Sequence, residues 1–162
     1  MADVIHLSLT GIKGESTSQR HRDEIVVESW AWGVTAALPS SSSGGSSSVG
    51  KPAFAPFTFA HRADIASPLL WRACVTGQHI AEGILSIARP MATAGDYITL
   101  RMQDVVVGSA SLADASADIQ PPLENVTLSC ALFEYTYRPQ LANGSLGPAV
   151  VLKFDIRQNR VL

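Results

Sequence analysis

The chain has 162 residues and a mass of 17.2 kDa, which is the size of one domain and too short for two full cores. Twelve Lys and Arg residues against 14 Asp and Glu residues give a formal net charge of -2, so no basic field exists for a phosphate backbone, and we expect no nucleic acid partner. Charged residues make up 16% of the chain, against about 25% in an ordinary soluble domain. Because the cores of protein interfaces are depleted of charge, this low fraction favours an oligomer.

The amino-terminal sequence, Met-Ala-Asp-Val-Ile-His, has neither the basic nor the apolar region of a cleavable secretory signal. No apolar run approaches the roughly 20 residues that a membrane helix needs. We therefore expect a chain that is made and folded in the cytoplasm and has no membrane partner. The two cysteines, Cys74 and Cys130, match no zinc or redox spacing, and we expect two buried free thiols.

Alternating apolar and polar residues predict strands in the first part of the chain. Ile5, Leu7 and Leu9 share one face of a first strand. Residues 25–34 read as one long second strand. Its predicted inward side consists of Val26, Trp30, Trp32 and Val34.

A flexible polar loop is predicted over residues 38–52. Residues 40–48 consist of seven serines together with Gly44 and Gly45, a composition typical of flexible connections. Loops of this length inside compact domains are often functional. The alternative is a solvated connection without a role.

A strand containing Phe54, Phe57 and Phe59 follows the loop, and Pro56 within it suggests a sheet edge or a bulge. The one predicted helix spans residues 67–77. Ser67 is expected to cap it, Pro68 fits its first position and Gly77 fits its left-handed end. Its predicted apolar stripe consists of Leu69, Leu70, Ala73 and Cys74.

Later strands are predicted at residues 80–88, 97–107, 126–137 and 150–156. In the third of these the apolar residues change parity after Leu132, so either a bulge shifts the register or both faces are covered. In the last strand Val150, Leu152, Phe154 and Ile156 face one way, and Lys153, Asp155 and Arg157 face the other. The pattern predicts a mainly β fold, an antiparallel barrel or sandwich flanked by one short helix. We expect a single domain over residues 1–162.

No constellation of residues points to catalysis, a metal or a cofactor. The four histidines fall in separate segments, and no Gly-x-Ser-x-Gly motif occurs. The run from Gly45 to Lys51 has the spacing of a phosphate-binding loop, but Pro52 replaces the hydroxyl residue that binds magnesium, and a strand follows where a helix is required. We therefore expect no enzyme activity, no metal and no cofactor.

The order of several short motifs resembles the Hcp family, which forms the inner tube of bacterial type VI secretion systems. The resemblance runs from Leu7 to Asn159. The motifs are Ile12-Lys13-Gly14-Glu15-Ser16, Trp30-Ala31-Trp32-Gly33, Ser67-Pro68-Leu69-Leu70, Ala73-Cys74-Val75-Thr76-Gly77, Glu124-Asn125-Val126-Thr127-Leu128 and Asp155-Ile156-Arg157-Gln158-Asn159.

This resemblance implies a two-sheet antiparallel β-barrel with one flanking helix, closed into homohexameric rings that stack into a tube. The implied partners are further copies of the chain, a VgrG-type spike, contractile sheath proteins and secreted effectors. Such a protein is cytoplasmic before firing and is then exported by the type VI system without a cleavable signal peptide. It acts as a structural ring subunit that carries or chaperones effectors through its lumen.

The resemblance also implies site residues. The extended loop reaches towards the adjacent ring, which makes Ser40, Gly44, Gly45 and Lys51 the candidate ring-stacking residues. Ser29, Ala31 and Gly33 become the candidate lumen-facing residues, with Trp30 and Trp32 packed inward. Periodicity alone leaves open that both faces of this strand are covered within the monomer.

Two other functions remain open at this point. In a monomeric ligand-binding barrel, Trp30, Trp32, Tyr135 and Tyr137 would line an internal pocket. In a nucleotide-dependent enzyme, residues 45–51 would bind phosphate.

Overall fold

The computed structural model describes residues 2–38, 50–91, 93–114 and 119–162. Within these residues the chain is built mainly of short antiparallel strands with one helix, as the sequence predicts. The elements are β1 (Val4–Leu9), β2 (Ile25–Val27), β3 (Ser29–Ala31), β4 (Val34–Ala37), β5 (Gly50–Phe54), β6 (Phe57–Arg62), α1 (Ser67–Thr76), β7 (His79–Ala88), β8 (Asp96–Ala113), β9 (Leu123–Ser129), β10 (Leu132–Tyr137), β11 (Val150–Asp155) and β12 (Arg160–Val161).

The strands form two layers that share β8. The first layer has the order β12-β11-β10-β8-β7-β1-β2, and the second layer runs from β8 through β9 and β6 to β3. Strand β8 belongs to both layers because it is 18 residues long: residues 96–106 pair with β7, and residues 106–113 pair with β9. Strands β4 and β5 form a separate two-stranded sheet.

One apolar core lies between the two layers. Strands β1, β7 and β8 contribute Leu7, Leu85, Leu100 and Met102, and strands β6 and β9 contribute Phe57, Phe59, Val126 and Leu128. Helix α1 adds Leu70 and Ala73, both fully buried. Burial of such side chains stabilises the fold by about 1.5–3 kcal/mol each for the large ones.

The predicted strand over residues 25–34 is wrong, because the chain changes layers within it. Strand β2 pairs with β1, whereas β3 pairs with β6. In β2 it is Ile25 and Val27 that are buried, while Val26 is 49% exposed, opposite to the predicted orientation. Val34 is also exposed. The side chains continue to alternate between the two sides of the chain through Glu28. At Glu28, however, the chain passes from the first layer to the second, so the side that faces the core changes.

Two further strand predictions change in the same way. The predicted strand over residues 126–137 is split into β9 and β10, because the chain crosses between layers at Cys130 and Ala131. This crossing explains the change of parity after Leu132. The predicted strand containing Phe54 is split at Pro56 into β5 and β6, which lie in different sheets.

Strand β11 is exposed on both of its sides along most of its length, and Asp155 at its end is buried. Asp155 is 7% exposed and accepts a hydrogen bond from the Gln158 amide at 2.9 Å, whereas Val150 is 69% exposed. The second layer does not cover this part of the first layer. An apolar side of β11 therefore faces outward in the single chain.

Helix α1 confirms the predicted position and end. Pro68 lies in its first turn, and Gly77 ends it in the left-handed conformation with φ of 65°. The predicted cap was wrong, since Ala66 is the capping position and the Ser67 hydroxyl instead accepts a hydrogen bond from the Asp64 amide at 3.0 Å. Leu69 is also directed outward rather than into the core, with 38% exposure. No helix in the described ranges is both long and apolar enough to cross a membrane.

Candidate functional site

Strand β3 presents the predicted small residues to solvent. Ser29 and Ala31 are exposed, and so is Gly33 just after the strand. Trp30 lies between them with the opposite orientation, half-buried, and its ring stacks on Phe57 at 6.1 Å between centroids. One face of β3 therefore carries exposed small residues and the other carries the half-buried Trp30, as the sequence predicts.

The neighbouring strands extend this exposed side across the whole second layer. In one row of the register Ala31 lies opposite Thr58, Thr58 opposite Thr127, and Thr127 opposite Ser109. The next row consists of Ser29, Ala60, Asn125 and Ser111, of which Ala60 is only 6% exposed. We call these eight residues the small-residue face. They are short and uncharged, and hydrogen bonds tie them together, with 2.7 Å between the Ser109 and Thr127 hydroxyl oxygens.

Among the residues that the structure describes, charged side chains lie only at the margin of the small-residue face. Arg62, at the end of β6, donates to a carboxylate oxygen of Glu28 at 2.9 Å and to the Pro121 carbonyl at 3.2 Å. The outer side of the first layer is different, since Arg101 pairs with Glu82 at 2.8 Å and Lys153 with Glu134 at 3.5 Å. The two outer surfaces of the molecule thus have distinct chemistry, one neutral and one charged.

The sequence analysis missed six of the eight residues in the small-residue face. The signal was present in β9, where Asn125 and Thr127 alternate with the buried Val126 and Leu128. It was also present in residues 109–113, which read Ser-Ala-Ser-Leu-Ala. Only the pairing of β3, β6, β9 and β8 brings these separate segments onto one surface.

An apolar groove lies beside β3, where the two layers diverge. Its volume is about 260 Å³. The residues that line it are Trp30, Trp32, Gly33, Val34, Phe54, Leu100, Phe133, Tyr135 and Leu152. The Trp32 indole is fixed there because its N–H donates to the Ala55 carbonyl at 2.8 Å.

The aromatic residues considered for an internal pocket are distributed differently. Trp30, Trp32 and Tyr135 line this open groove at the surface, and Tyr137 instead lies edge-on to Tyr97, with 6.2 Å between ring centroids. Exposed apolar residues continue from the groove along β11, where Val150, Val151 and Leu152 are 69%, 47% and 42% exposed. Contiguous exposed apolar surface of this kind is typical of protein interfaces and of ligand-binding grooves.

Of the predicted stacking residues, Lys51 lies on β5 and is exposed. Strand β5 pairs with β4, so Lys51 belongs to a two-stranded extension of the chain. Ser40, Gly44 and Gly45 lie outside the described residues.

The histidines in the described ranges bond to carboxylates or to each other. His21, His61 and His79 each approach an Asp or Glu side chain within 3.1 Å, and His6 stacks on His21. No group of three or more His, Cys, Asp or Glu side chains with metal-binding geometry occurs among the residues that the structure describes.

Comparison with known proteins identifies relatives along nearly the whole chain. A family described as "Type VI secretion system effector, Hcp" matches residues 6–137. Protein hcp1 of Pseudomonas aeruginosa is 31% identical over 161 residues, which is 98% of each chain. Among solved structures, one of a type six secretion system protein has a TM-score of 0.93 at 23% identity and covers 99% of this chain and 100% of its own. Hcp1 from Salmonella typhimurium has a TM-score of 0.80 at 24% identity with the same coverage. These two structures establish the similarity of the fold.

Proposed function

The chain belongs to the Hcp family of type VI secretion system proteins, and on that premise we propose that it is the structural subunit of a homohexameric ring whose copies stack into the secretion tube. The observation that carries the proposal is the difference between the two outer surfaces. A neutral surface of short side chains suits the inner wall of a conduit, because it neither obstructs the bore nor holds a charged cargo by a strong ionic contact.

The apolar groove and the exposed side of β11 support the ring. An interface that joins one patch to a different patch on the next copy closes into a ring when the rotation between copies permits closure. The surface formed by Val34, Tyr135, Val150 and Leu152 is apolar, exposed in the single chain and continuous with the groove. Covering it with a neighbouring copy would remove apolar area from water at about 25 cal/mol per Å².

The small-residue face is the proposed lumen wall, with Ser29, Ala31 and Gly33 directed towards the axis. Effectors are the proposed cargo, held through the hydroxyl and amide groups of this face. The loop of residues 38–52, which contains Ser40, Gly44, Gly45 and Lys51, is the proposed contact between stacked rings. A VgrG-type spike and contractile sheath proteins are the remaining proposed partners.

In this proposal the chain is a single structural domain without catalytic activity. It is assembled in the cytoplasm and exported with its cargo when the system fires. The chain then acts by assembling into a tube and by binding cargo, and not by catalysing a reaction.

Light scattering on the purified protein tests the ring. We expect a native mass of six chains of 17.2 kDa each and rings in negative stain. A protein that stays monomeric at high concentration overturns the assembly and returns the ligand-binding barrel as the leading alternative.

Spin-label distances test the wall. Ala31→Cys and Ala81→Cys each place one label on an exposed strand position, in β3 and in β7 respectively, in a background where Cys74 and Cys130 are replaced by Ser. In a ring, labels on the lumen side lie closer to the axis, so we expect shorter distances between neighbouring subunits for position 31 than for position 81. The reverse order overturns the proposed orientation. A bound effector is further expected to shield the thiol at position 31 from modification and to leave position 81 reactive.

A further inference from the structure

Two imidazole rings stack where the first strand meets the segment that follows it. His6 lies on β1 and is 5% exposed, and His21 lies in the connection between β1 and β2. Their ring centroids are 4.7 Å apart and their planes differ by 18°. The rings therefore overlap face to face with little water between them.

Both nitrogens of His21 are held by carboxylates. Nδ1 lies 3.0 Å from an oxygen of Glu24, and Nε2 lies 3.1 Å from an oxygen of Asp96 at the start of β8. Each of the two ring nitrogens of His21 thus has a carboxylate partner, one in its own segment and one on β8, so the orientation of the ring is fixed from both sides.

His6 is held neutral in the same cluster. Burial lowers the pKa of His6 below its ordinary value of 6.5, the charge of His21 lowers it further, and Asp96 acts in the opposite direction. Protonation of His6 would place a positive charge in a partly desolvated site against the face of His21, which is unfavourable. Arg20 is a further charged group nearby, with its guanidinium beside Gly95, the residue that precedes Asp96.

The cluster fastens a particular piece of the chain. Residues 14–24 fold back on themselves through hydrogen bonds from the Gly14 amide to the Asp23 carbonyl at 2.8 Å and from the Ser16 amide to the Glu24 carbonyl at 3.0 Å. His21 joins this fold to β1 through its stacking on His6 and to the start of β8 through Asp96. Arg22 and Asp23 also form one wall of a surface cavity of about 650 Å³, which is closed on another side by Ile65 and Leu69 beside and within α1.

We propose that the stacked His6 and His21 rings form a pH-sensitive latch, which holds residues 14–24 against the sheets while the His6 ring is neutral and releases them when that ring binds a proton. In the released state the wall of the cavity moves away from α1. This inference concerns the fold of the single chain and does not depend on ring assembly.

The sign of the effect is set by His6. Because its pKa is lowered in the latched state, the released state binds the proton more readily, and the latched state loses stability as the pH falls below about 6.5. Glu24 acts in the opposite sense, since burial raises its pKa above the ordinary 4.5. A variant in which only His6 is replaced by a residue that does not titrate separates the contribution of His6 to the pH dependence from that of Glu24.

Hydrogen exchange of the Gly14 and Ser16 amides, corrected for intrinsic rates, provides the test. In the wild-type protein we expect protection to be lost progressively as the pH is lowered from about 7 to about 5.5, because the pKa of His6 lies below its ordinary value in the latched state. His6→Phe keeps a stacked ring without a titrating group and is expected to remove this dependence, and His6→Gln serves if the larger ring disturbs folding. His79→Gln, which removes a histidine outside the cluster, should retain it.

Nitrogen NMR of the histidine rings gives a second reading on the wild-type chain. At about pH 7 we expect His6 to be neutral, because burial lowers its pKa. The proposal is overturned if His6 is doubly protonated at that pH, or if the His6 variants show the same pH dependence of protection as the wild-type protein.

Discussion

His61 and Glu124 form a hydrogen bond of 2.6 Å in the interior of the protein, where both side chains are essentially fully buried. They are register partners on β6 and β9. The second carboxylate oxygen of Glu124 accepts from the Trp71 indole of α1 at 2.8 Å. The pair thus connects the second layer to the helix that covers it.

Removing one member of this pair should be costly. We expect His61→Leu to lower the free energy of unfolding by about 3–5 kcal/mol, because it leaves the buried Glu124 with Trp71 as its remaining partner. The double variant His61→Leu/Glu124→Leu should recover much of the loss, since the buried carboxylate is removed together with its partner and the Trp71 indole that loses its acceptor belongs to a residue that is 41% exposed. Urea denaturation of the three proteins measures both values, and a double variant less stable than the single one contradicts the interpretation.

Two glycines provide a matched test of close packing. A Cβ on Gly14 would lie 2.5 Å from the Glu24 carbonyl oxygen, whereas a Cβ on Gly33 would meet nothing within 4 Å. Gly14→Ala is therefore expected to destabilise the protein by about 1–3 kcal/mol, and Gly33→Ala to change it by less than about 0.5 kcal/mol. Thermal unfolding compares the stabilities of the two variants directly. Equal effects would show that residues 14–24 can shift to accommodate the added methyl group without loss of stability.

The Cys130 thiol should be unusually unreactive. Both cysteines are free but only partly buried, so the expectation of two buried thiols holds in part. Burial raises the pKa of Cys130 to about 12 from an ordinary 9, which lowers its thiolate fraction about a thousandfold at neutral pH. In a Cys74→Ser background, we expect disulfide exchange reagents to modify Cys130 far more slowly in the native protein than in urea. Equal rates would contradict the role of burial.

A charge in the apolar surface should dissociate the proposed ring. Leu152→Glu places a carboxylate among exposed apolar residues of β10 and β11, and we expect the native mass to fall from six chains towards one. Leu69→Glu is the control, because Leu69 is similarly exposed, at 38% against 42% for Leu152, but lies on α1. Light scattering distinguishes the two, and a ring that survives Leu152→Glu excludes this surface from the interface.

Local signals in the sequence determined the β-rich class, the helix between Pro68 and Gly77, and the different faces of β3. Each depends on neighbouring residues: alternation sets the parity of side chains, and Pro and Gly restrict the backbone where they stand. The family resemblance likewise rests on the order of short motifs, and comparison with known proteins confirms it.

Only the tertiary structure determined which face of each strand is buried and in which layer the strand lies. The crossing at Glu28 left no mark in the alternation, so the burial of Val26 was predicted on the wrong side. The crossing at Cys130 is visible as the change of parity after Leu132, but the sequence leaves open whether a bulge or a change of layer causes it. The small-residue face and the buried His61–Glu124 pair also join segments that are distant in sequence. Their existence depends on strand pairing, which is settled by the packing of the whole core rather than by any one segment.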